Sequence, residues 1–470
     1  MQIALINSKV TRFNILNLFS VTLVLIALFV LSACGGGSSS QTSSNTPSPT
    51  PGGSNPGPTG NGTSTNPGQI NHIVFMLQEN RSFDMYFGKM NDYRAANGLP
   101  QDVDGLPANA SNPSADGSGS VGAFHLQTMC TEDLSPFWNE SHISFNRKDP
   151  TSNTAKMDGF VTAAANLARG KGQIDVGGIR AMGYYDATDI PYYYFVASQF
   201  ALSDRWFAPV DSNTNANRHY VYAATSSGHV YPWKGAPDSH QTIFDLLQAK
   251  GVSWKVYAAA RSTSVFFQFQ SLTGMSDHLV GMDQLFKDLS AGTLPQVAMI
   301  ETDVDNEHPE NNIQTGAAFA ASVVNSLIAS PNWKDTVLFL SYDEGGGLYD
   351  HVAPPTEVAP DATPVSDLLP TDICYSGCSG SAAGFTRAGF RVPMMVISPF
   401  AKPHYVSHTV ADHTAVLKFI EDRFGLGRLS ARDAAQPGLE EFFDFSAPNL
   451  NPPAGPVQPT NGPCYHDHLP

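Results

Sequence analysis

The chain has 470 residues, of which 41% are hydrophobic, enough for one large domain or two ordinary ones. Its formal net charge is -16, from 26 basic and 42 acidic residues. A surface of this charge repels phosphate backbones, so we exclude nucleic-acid binding as the main function and expect no nucleic-acid partner.

The N-terminal stretch is typical of a bacterial lipoprotein signal peptide. Lys9 and Arg12 precede an apolar segment at 15–31, and the tetrapeptide Leu-Ser-Ala-Cys occupies 31–34. This tetrapeptide resembles a lipobox, in which Cys34 becomes the lipid-modified first residue after cleavage. A retained signal-anchor helix and an ordinary signal peptide cut nearby are the alternatives. Because glycines rather than an aspartate follow Cys34, we expect an exported protein that is lipid-anchored at the cell envelope, on the outer membrane or the cell surface.

Residues 35–68 form a predicted linker. They are almost entirely Gly, Ser, Thr, Asn and Pro, a composition that cannot bury a core. No comparable low-complexity segment follows. We therefore expect residues 1–34 to be a signal peptide, 35–68 a flexible tether and 69–470 a single folded domain.

Four cysteines remain after Cys34, and an even number in an exported chain predicts two disulfides. Four cysteines allow three pairings, and the sequence does not select one. The short spacing of Cys374 and Cys378 allows a local bridge, which would leave Cys130 with Cys464. A zinc site is the weaker alternative, because the paired short-turn spacing of such sites is missing.

Four short apolar runs predict strands that are buried on both faces of a sheet. They are 73–77, 295–300, 336–340 and 392–397. Apolar residues at helical spacing in 242–249 and 316–329 predict helices along the same part of the chain. This alternation predicts an α/β fold with a mostly parallel central sheet and helices on both faces.

Polar side chains follow three of these runs, at the point where each strand ends. They are Glu79 and Asn80, an acidic stretch up to His308, and the group Asp343, Glu344, Asp350 and His351. Because the carboxyl ends of parallel strands lie at one edge of a sheet, these side chains are expected to converge. Carboxylate and amide oxygens suit a divalent metal ion, so the sequence predicts a polyvalent site at this edge.

A hydroxyl-rich turn at 210–217 leads into Arg218 and a predicted helix. Hydroxyl and backbone N–H groups at a helix N-terminus suit an anionic group. Ordinary helix capping by Ser212 or Thr214 is the alternative.

Several longer motifs carry a resemblance to a known family. They are Gln78-Glu79-Asn80-Arg81-Ser82-Phe83-Asp84, Thr214-x-x-Asn217-Arg218, Glu307-His308-Pro309, Asp343-Glu344 with Gly346-Gly347 and Tyr349-Asp350-His351-Val352, and Asp412-His413-Thr414. In this order they resemble the bacterial phosphoesterase family, which includes non-haemolytic phospholipases C and AcpA-type acid phosphatases. The resemblance covers about residues 70–445.

The resemblance implies an alkaline-phosphatase-like fold with one divalent metal ion, for which Ca, Mg, Mn and Zn are candidates. The implied metal ligands are Glu79, Asn80, Asp343 and Glu344. The implied nucleophile is Thr214, and the implied substrate-binding residues are Asn217, Arg218 and Asp350. The resemblance implies that His142, His308 and His351 contact phosphate oxygens or transfer protons. It implies that His413 supports the site.

The implied function is metal-dependent hydrolysis of a phosphate ester through a phosphothreonine intermediate. The family often has another histidine shortly before Trp138, where this chain has Ser135, Pro136 and Phe137. One phosphate contact is therefore missing or supplied elsewhere. Larger phospholipases C carry C-terminal β-domains for which this chain has no room, and this favours the acid phosphatase type. A phospholipase C that cleaves phosphatidylcholine-type phosphodiesters is the alternative, so the substrate is a small phosphate ester or a phospholipid head group. A surface lipoprotein that binds a ligand without catalysis is the alternative from another class.

Overall fold

The structure is a computed structural model that describes residues 67–302 and 307–470. The predicted signal peptide with Cys34 lies outside these residues, as does the predicted linker up to residue 66. Asp303 and Asp305 of the acidic stretch also lie outside them. Among the described helices, none is both long enough and apolar enough to cross a membrane.

The regular elements alternate along the chain. The strands are β1 (His72–Gln78), β2 (Ser111–Pro113), β3 (Ser120–Gly122), β4 (Phe124–His125), β5 (Gly183–Tyr184), β6 (Ala201–Ser203), β7 (Trp206–Phe207), β8 (Trp254–Ala258), β9 (Leu279–Val280), β10 (Val297–Glu301), β11 (Thr336–Tyr342), β12 (Met394–Ile397), β13 (Tyr405–Ser407) and β14 (Ala411–Asp412). The α-helices are α1 (Phe83–Phe87), α2 (Met90–Ala96), α3 (Trp138–Phe145), α4 (Phe160–Lys171), α5 (Pro191–Gln199), α6 (Thr214–Ala223), α7 (Ile243–Lys250), α8 (Met282–Ala291), α9 (Ile313–Ile328), α10 (Thr414–Phe424) and α11 (Ala431–Ala435). Short 3-10 helices connect some of them, the first at Pro67–Gln69.

Eight of the described strands form the central sheet, in the order β13-β6-β12-β11-β1-β10-β8-β9. Every neighbouring pair is parallel except the two pairs made by β12, which runs antiparallel to both β11 and β6. This confirms the predicted α/β fold with a mostly parallel sheet. The predicted strand at 392–397 is shorter than expected, and its reversed direction carries Ser398 to the opposite edge, where its hydroxyl donates to the carbonyl of Thr336 at the start of β11.

Strand β1 lies at the centre of the sheet and sets the register of the site. Gln78 at its end pairs with Tyr342 of β11, and Leu77 pairs with Glu301 of β10. The residues that follow these three strands therefore leave the sheet at one edge. The predicted convergence of Glu79 with Asp343 is thus a consequence of parallel pairing.

The core is built from strands that are buried on both faces. All residues of β11 are buried, as are all residues of β1 after His72. Helices pack around this sheet, with α5 against β6 and β12, and α8 against β8. Helix α9 buries Ile313, Ala317, Ala320 and Val324, which lie three or four residues apart and therefore share one face.

Two disulfides join the four described cysteines. Cys130 is bonded to Cys464, and Cys374 to Cys378. The pairing that the sequence left open is therefore the local bridge plus the long-range one. The long-range bond ties the C-terminal segment to the loop that precedes α3.

The loops after β1 and β11 touch at their backbones. Asn80 adopts a left-handed conformation with φ 57, which is uncommon for a residue with a side chain. Gly346 also has a positive φ, and a Cβ placed on it would lie 2.6 Å from the carbonyl oxygen of Asn80. Only glycine fits here, since any side chain would separate the two loops.

We expect Gly346→Ala to lower the free energy of unfolding by about 2 kcal/mol or more, because it combines left-handed strain with a backbone clash. Gly98→Ala is the matched control, since Gly98 has nearly the same φ and open space around its Cα. The control should lose about 1 kcal/mol, from strain alone. Chemical denaturation of the purified domain measures both values, and equal losses would show that the loops do not need to touch.

Candidate active site

Arg218 forms ion pairs with residues that follow two of the central strands. Its Nη2 lies 3.0 Å from Oε1 of Glu79, and its Nε lies 3.1 Å from Oδ2 of Asp343. The side chains are almost fully buried, with 6% of Arg218, 2% of Glu79 and 0% of Asp343 exposed. In a dry environment of this kind, ion pairs with direct hydrogen bonds are needed to offset the cost of removing the charges from water.

The second oxygen of Asp343 fixes the two loops. Its Oδ1 accepts hydrogen bonds from the backbone N–H groups of Asn80 at 3.1 Å and Glu344 at 2.9 Å. The Oε2 of Glu344 accepts one from the backbone N–H of Gly346 at 3.0 Å. The predicted metal ligands thus lie on two loops that are bound directly to each other.

Two oxygens at this point lack a partner. Among the described residues, nothing donates a hydrogen bond to Oδ1 of Asn80 or Oε1 of Glu344, although both atoms are buried. The site also places three carboxylates, Glu79, Asp343 and Glu344, against the single guanidinium of Arg218. Unpaired oxygens with excess negative charge are the donor set of a hard divalent cation, so these residues fit the predicted metal.

The four predicted ligands do not form the tightest acidic group in this structure. Groups of three potential ligand atoms within 4.8 Å of one another occur elsewhere in the described residues, for example at Asp84, Asp350 and His351. In the candidate site, the guanidinium of Arg218 donates to both Glu79 and Asp343.

Burial and charge crowding raise the pKa values of two carboxyl groups here. Burial, with the neighbouring charge of Asp343 adding to it, raises the pKa of Glu79 to about 8, against the opposing effect of Arg218. Burial and Asp343 also raise the pKa of Glu344. Both shifts arise first from the removal of the carboxylates from water and second from the negative charge of Asp343.

Thr214 begins helix α6 and faces these carboxylates. Its Oγ1 donates to Oε2 of Glu79 at 3.4 Å. The preceding Asn213 caps the helix, because its side chain accepts from the N–H of Asn215 at 2.9 Å. Ser212, the other candidate hydroxyl, donates to the carbonyl of Val230.

A cavity of about 100 Å³ opens in front of Thr214. Its wall is formed by Glu79, Thr214, Asn215, Arg218, Ala258, Ala260, Thr263, Ser264, Val265, Glu301 and Thr302. Sequence reasoning placed Glu301 in the acidic stretch without assigning it to the site. Glu301 ends strand β10 and lies beside Leu77 of the central strand β1. This position at a strand end is the signal that could have assigned Glu301 to the site. Its Oε1 accepts from the hydroxyl of Tyr222 at 2.5 Å.

The three predicted histidines lie outside the wall of this cavity. His142 is buried, with Nδ1 2.8 Å from the carbonyl of Trp138, and burial lowers its pKa. His308 is 25% exposed, with Nε2 3.5 Å from Oδ1 of Asp133. Their roles in catalysis stay predictions.

His351 is held by carboxylates on both sides of its ring. Nδ1 lies 2.7 Å from Oδ2 of Asp84, and Nε2 lies 3.2 Å from Oδ1 of Asp104. Burial alone would lower the pKa of His351, but the hydrogen bond and charge of Asp84 outweigh it and raise the pKa.

Two of the predicted substrate-binding residues, Asp350 and Asn217, form hydrogen bonds with other parts of the protein. Both carboxylate oxygens of Asp350 lie 3.1 Å from Nε of Arg391, and burial raises the pKa of this acid to about 6. Asn217 donates to the carbonyl of Ser212 at 2.9 Å and accepts from the N–H of Val210 at 3.0 Å. Asn217 thereby fixes the turn that presents Thr214.

His413 supports the site from below. Its Nδ1 accepts from the indole N–H of Trp206 at 2.9 Å, so the ring proton is on Nε2, which lies 3.2 Å from the carbonyl of Asp343. Burial lowers its pKa to about 4, which keeps the ring neutral. This contact is the bracing role that the resemblance implied.

Comparisons with known proteins show the family of this chain. The model of the Phosphoesterase family matches residues 70–427. Phospholipase C B of Mycobacterium tuberculosis is 30% identical over 428 residues, which cover 81% of this chain and 78% of that protein. Non-specific phospholipase C1 of Arabidopsis thaliana is also 30% identical, covering 80% and 71%, and non-hemolytic phospholipase C of Burkholderia pseudomallei is 29% identical, covering 81% and 60%.

Among solved structures, a protein in the alkaline phosphatase superfamily from Vibrio parahaemolyticus is similar to this chain. The two share 12% identity with a TM-score of 0.35, over 74% of this chain and 78% of the other. This structural similarity is distant, and the description of the site does not depend on it.

We expect Glu344→Gln to weaken divalent-metal binding at least about 10-fold, because it removes one charged oxygen ligand. The folded state raises the pKa of this acid, so its charge destabilises the metal-free protein increasingly as pH rises above the ordinary carboxyl range. The metal-free variant should therefore be more stable than the wild type at pH 8.

Calorimetric metal titration and chemical denaturation in chelator measure the two effects separately. Glu421→Gln is the control, because Glu421 on helix α10 is a buried acid that pairs with Arg428, and the change should leave metal affinity unchanged. Wild-type metal affinity in Glu344→Gln would show that this residue is not a ligand.

Proposed function

The chain belongs to the phosphoesterase family, and from this we propose that it hydrolyses phosphate esters with Thr214 as the nucleophile. The observation that carries the proposal is the position of the Thr214 hydroxyl. It lies at the N-terminus of α6, 3.4 Å from Glu79, in the same cavity as Arg218. A hydroxyl, a cation and a set of buried metal-type ligands in one cavity support phosphoryl transfer.

We propose that Glu79, Asn80, Asp343 and Glu344 hold one divalent metal ion. Such an ion lowers the pKa of a neighbouring hydroxyl and neutralises charge on phosphoryl oxygens. The donor atoms are carboxylate and amide oxygens, which suit Ca, Mg, Mn or Zn in different geometries. The two orphaned oxygens, on Asn80 and Glu344, support this assignment.

The chain's own residues then perform the following steps. Arg218 binds the phosphoryl oxygens through its guanidinium, more strongly as negative charge develops. The Thr214 oxygen attacks phosphorus, loses its proton and forms phosphothreonine, while the ester oxygen leaves. His308, the most exposed of the three predicted histidines, protonates that leaving oxygen. Water then attacks phosphorus and restores the threonine, which releases phosphate from a monoester substrate or a phosphomonoester from a diester substrate.

The substrate is either a phosphodiester or a phosphomonoester. The sequence favoured the acid phosphatase type. The M. tuberculosis relative, however, is a phospholipase C by name, and this chain matches 78% of its length. We therefore favour a phospholipase C type of diester cleavage and keep the phosphatase as the second candidate.

We expect Thr214→Ala to lower kcat about 1,000-fold or more on both p-nitrophenyl phosphate and p-nitrophenyl phosphorylcholine. Thr214→Ser, which restores a hydroxyl, should recover part of the loss. The fold should survive, since the Thr214 hydroxyl makes one long hydrogen bond. In the wild type, an acid quench during turnover should leave a phosphoryl group on the Thr214 peptide, detected by mass spectrometry.

Ser212→Ala is the control, because Ser212 binds the carbonyl of Val230 instead of facing the cavity. If Ser212→Ala loses both the activity and the phosphopeptide while Thr214→Ala stays active, the nucleophile is Ser212. A metal-loaded wild type that is inert towards every phosphoester would favour the alternative of a non-catalytic binding lipoprotein. Faster release from the choline diester than from the monoester marks a phospholipase C.

We also propose that the mature protein is exported and anchored to the cell envelope through a lipid on Cys34. The signal-like N-terminus and the two disulfides support export, because disulfides persist in oxidising compartments.

We expect Cys34→Ala to move the protein from the membrane fraction to the soluble or uncleaved fraction of a Gram-negative host. Ser38→Ala, in the same glycine- and serine-rich stretch, should stay lipidated and membrane-bound. Fractionation with mass spectrometry of the N-terminal peptide measures this. A Cys34→Ala protein that is cleaved and still membrane-bound would contradict lipid anchoring.

A further inference from the structure

The carboxylate of Glu307 is fully buried and is surrounded by hydrogen-bond donors. Its Oε1 accepts from Nε2 of Gln78 at 2.8 Å and from the hydroxyl of Tyr193. Its Oε2 accepts from the hydroxyls of Tyr86 and Tyr342, each at 2.9 Å. A carboxylate offers about four acceptor positions, so these donors match it closely, although the proposed chemistry uses none of them.

Two of these donors lie at the ends of the strands that lead to the proposed metal ligands. Gln78 ends β1 and Tyr342 ends β11, and the two residues are paired in the sheet. The next residues along the chain are Glu79 and Asp343. The two strand ends therefore set the position of Glu307 relative to the metal ligands.

The surroundings of Glu307 suit a carboxylate better than a neutral group of the same shape. Burial raises its pKa, but the hydrogen bond from Tyr193 and the charge of Arg81 oppose this rise. Hydrogen bonds to an ionised acceptor are stronger than neutral ones, and water does not compete for them in a buried site. The carboxamide of a glutamine would instead direct an NH2 group at hydroxyls that already donate. A change to glutamine therefore keeps the shape of the side chain and weakens its attachment.

His308, the proposed acid, follows Glu307 directly and is held from its other side as well. Its own carbonyl accepts from the N–H of Asn311 at 2.8 Å. The carbonyl of Pro309 accepts from the N–H of Thr131 at 2.7 Å. The backbone of His308 is thus fixed on both sides, and Glu307 connects it to the central sheet.

We propose that Glu307 is a positioning residue, which holds His308 where it protonates the leaving oxygen. The inference rests on the proposed function and adds to it a residue that contacts neither substrate nor metal. A general acid must lie within hydrogen-bond reach of the atom that it protonates, so a small shift of its backbone lowers the rate. Glu307 prevents this shift, because it ties the residue before His308 to the ends of β1 and β11.

The first test compares phosphate esters with different leaving groups. The monoester pair is p-nitrophenyl phosphate and n-butyl phosphate, and the diester pair is bis(p-nitrophenyl) phosphate and dibutyl phosphate. The p-nitrophenolate ion leaves without a proton, whereas a butoxide must be protonated as it leaves. In the metal-loaded protein, Glu307→Gln should lower kcat about 10-fold or more on the butyl ester and less than about 3-fold on the p-nitrophenyl ester.

His308→Ala gives the reference for this selective loss and should lower kcat on the butyl ester about 100-fold or more. Adding Glu307→Gln to His308→Ala should cause no further selective loss, because the two residues act as one unit. A purely structural role of Glu307 would lower kcat on both esters alike and would add to the effect of His308→Ala. Either of those results overturns the proposal.

A matched control and a milder variant allow for loss of the fold. Asp288→Asn is the control, because Asp288 in α8 is a buried acid that accepts from the hydroxyl of Tyr257 in β8 at 2.7 Å. It should leave the ratio of the two kcat values unchanged. Tyr86→Phe removes one donor to Glu307 and should shift the ratio in the same direction as Glu307→Gln, by about 2-fold or more. If Glu307→Gln does not fold, an unchanged ratio in Tyr86→Phe overturns the proposal.

Chemical labelling separates this inference from the proposed function, because it does not need turnover. Diethyl pyrocarbonate modifies accessible histidine rings, and mass spectrometry of the peptides gives the rate at His308, which is 25% exposed. Glu307→Gln should raise this rate about 3-fold or more, while His468, which is 71% exposed, keeps its rate. If this change is seen and no phosphoester is hydrolysed, the proposed function fails and the anchoring of His308 by Glu307 stands. An unchanged labelling rate at His308 overturns the positioning role, whether or not the protein is active.

Discussion

The carboxylate of Asp343 is the group on which the arrangement of the site depends. One oxygen accepts the N–H groups of Asn80 and Glu344, and the other pairs with Arg218. A single side chain thus connects the ends of two strands to the helix that carries Thr214. Because it is fully buried, water does not compete for these bonds, and the three elements are held in one fixed relation.

The same arrangement concentrates destabilising features at one edge of the sheet. Asn80 is in a left-handed conformation, two buried oxygens lack partners, and three acids face one arginine. Each feature costs free energy, and the fully buried strands β1 and β11 offset that cost. Strain and unpaired polar groups of this kind gather where a protein binds something that its own residues do not provide.

The sequence predicted the parts of the fold that follow from local patterns. The apolar runs predicted the central strands, and the polar residues at their ends predicted Glu79 and Asp343 as site residues. The sequence could not predict strand direction, because an apolar run such as β12 has the same pattern in a parallel and an antiparallel strand. The sequence could not predict the surroundings of His351, because its partners are Asp84 in helix α1 and Asp104 in a loop, both far away in the chain.

The strand order has a consequence for synthesis of the chain. Of the described strands, β1 is the first to be made, yet it pairs with β10 and β11, which follow about half the chain later. At ordinary rates of translation, its five apolar residues stay unpaired for about 10 s or longer. During that time they form an exposed template for aggregation, because the backbone groups of an unpaired strand can pair with another chain.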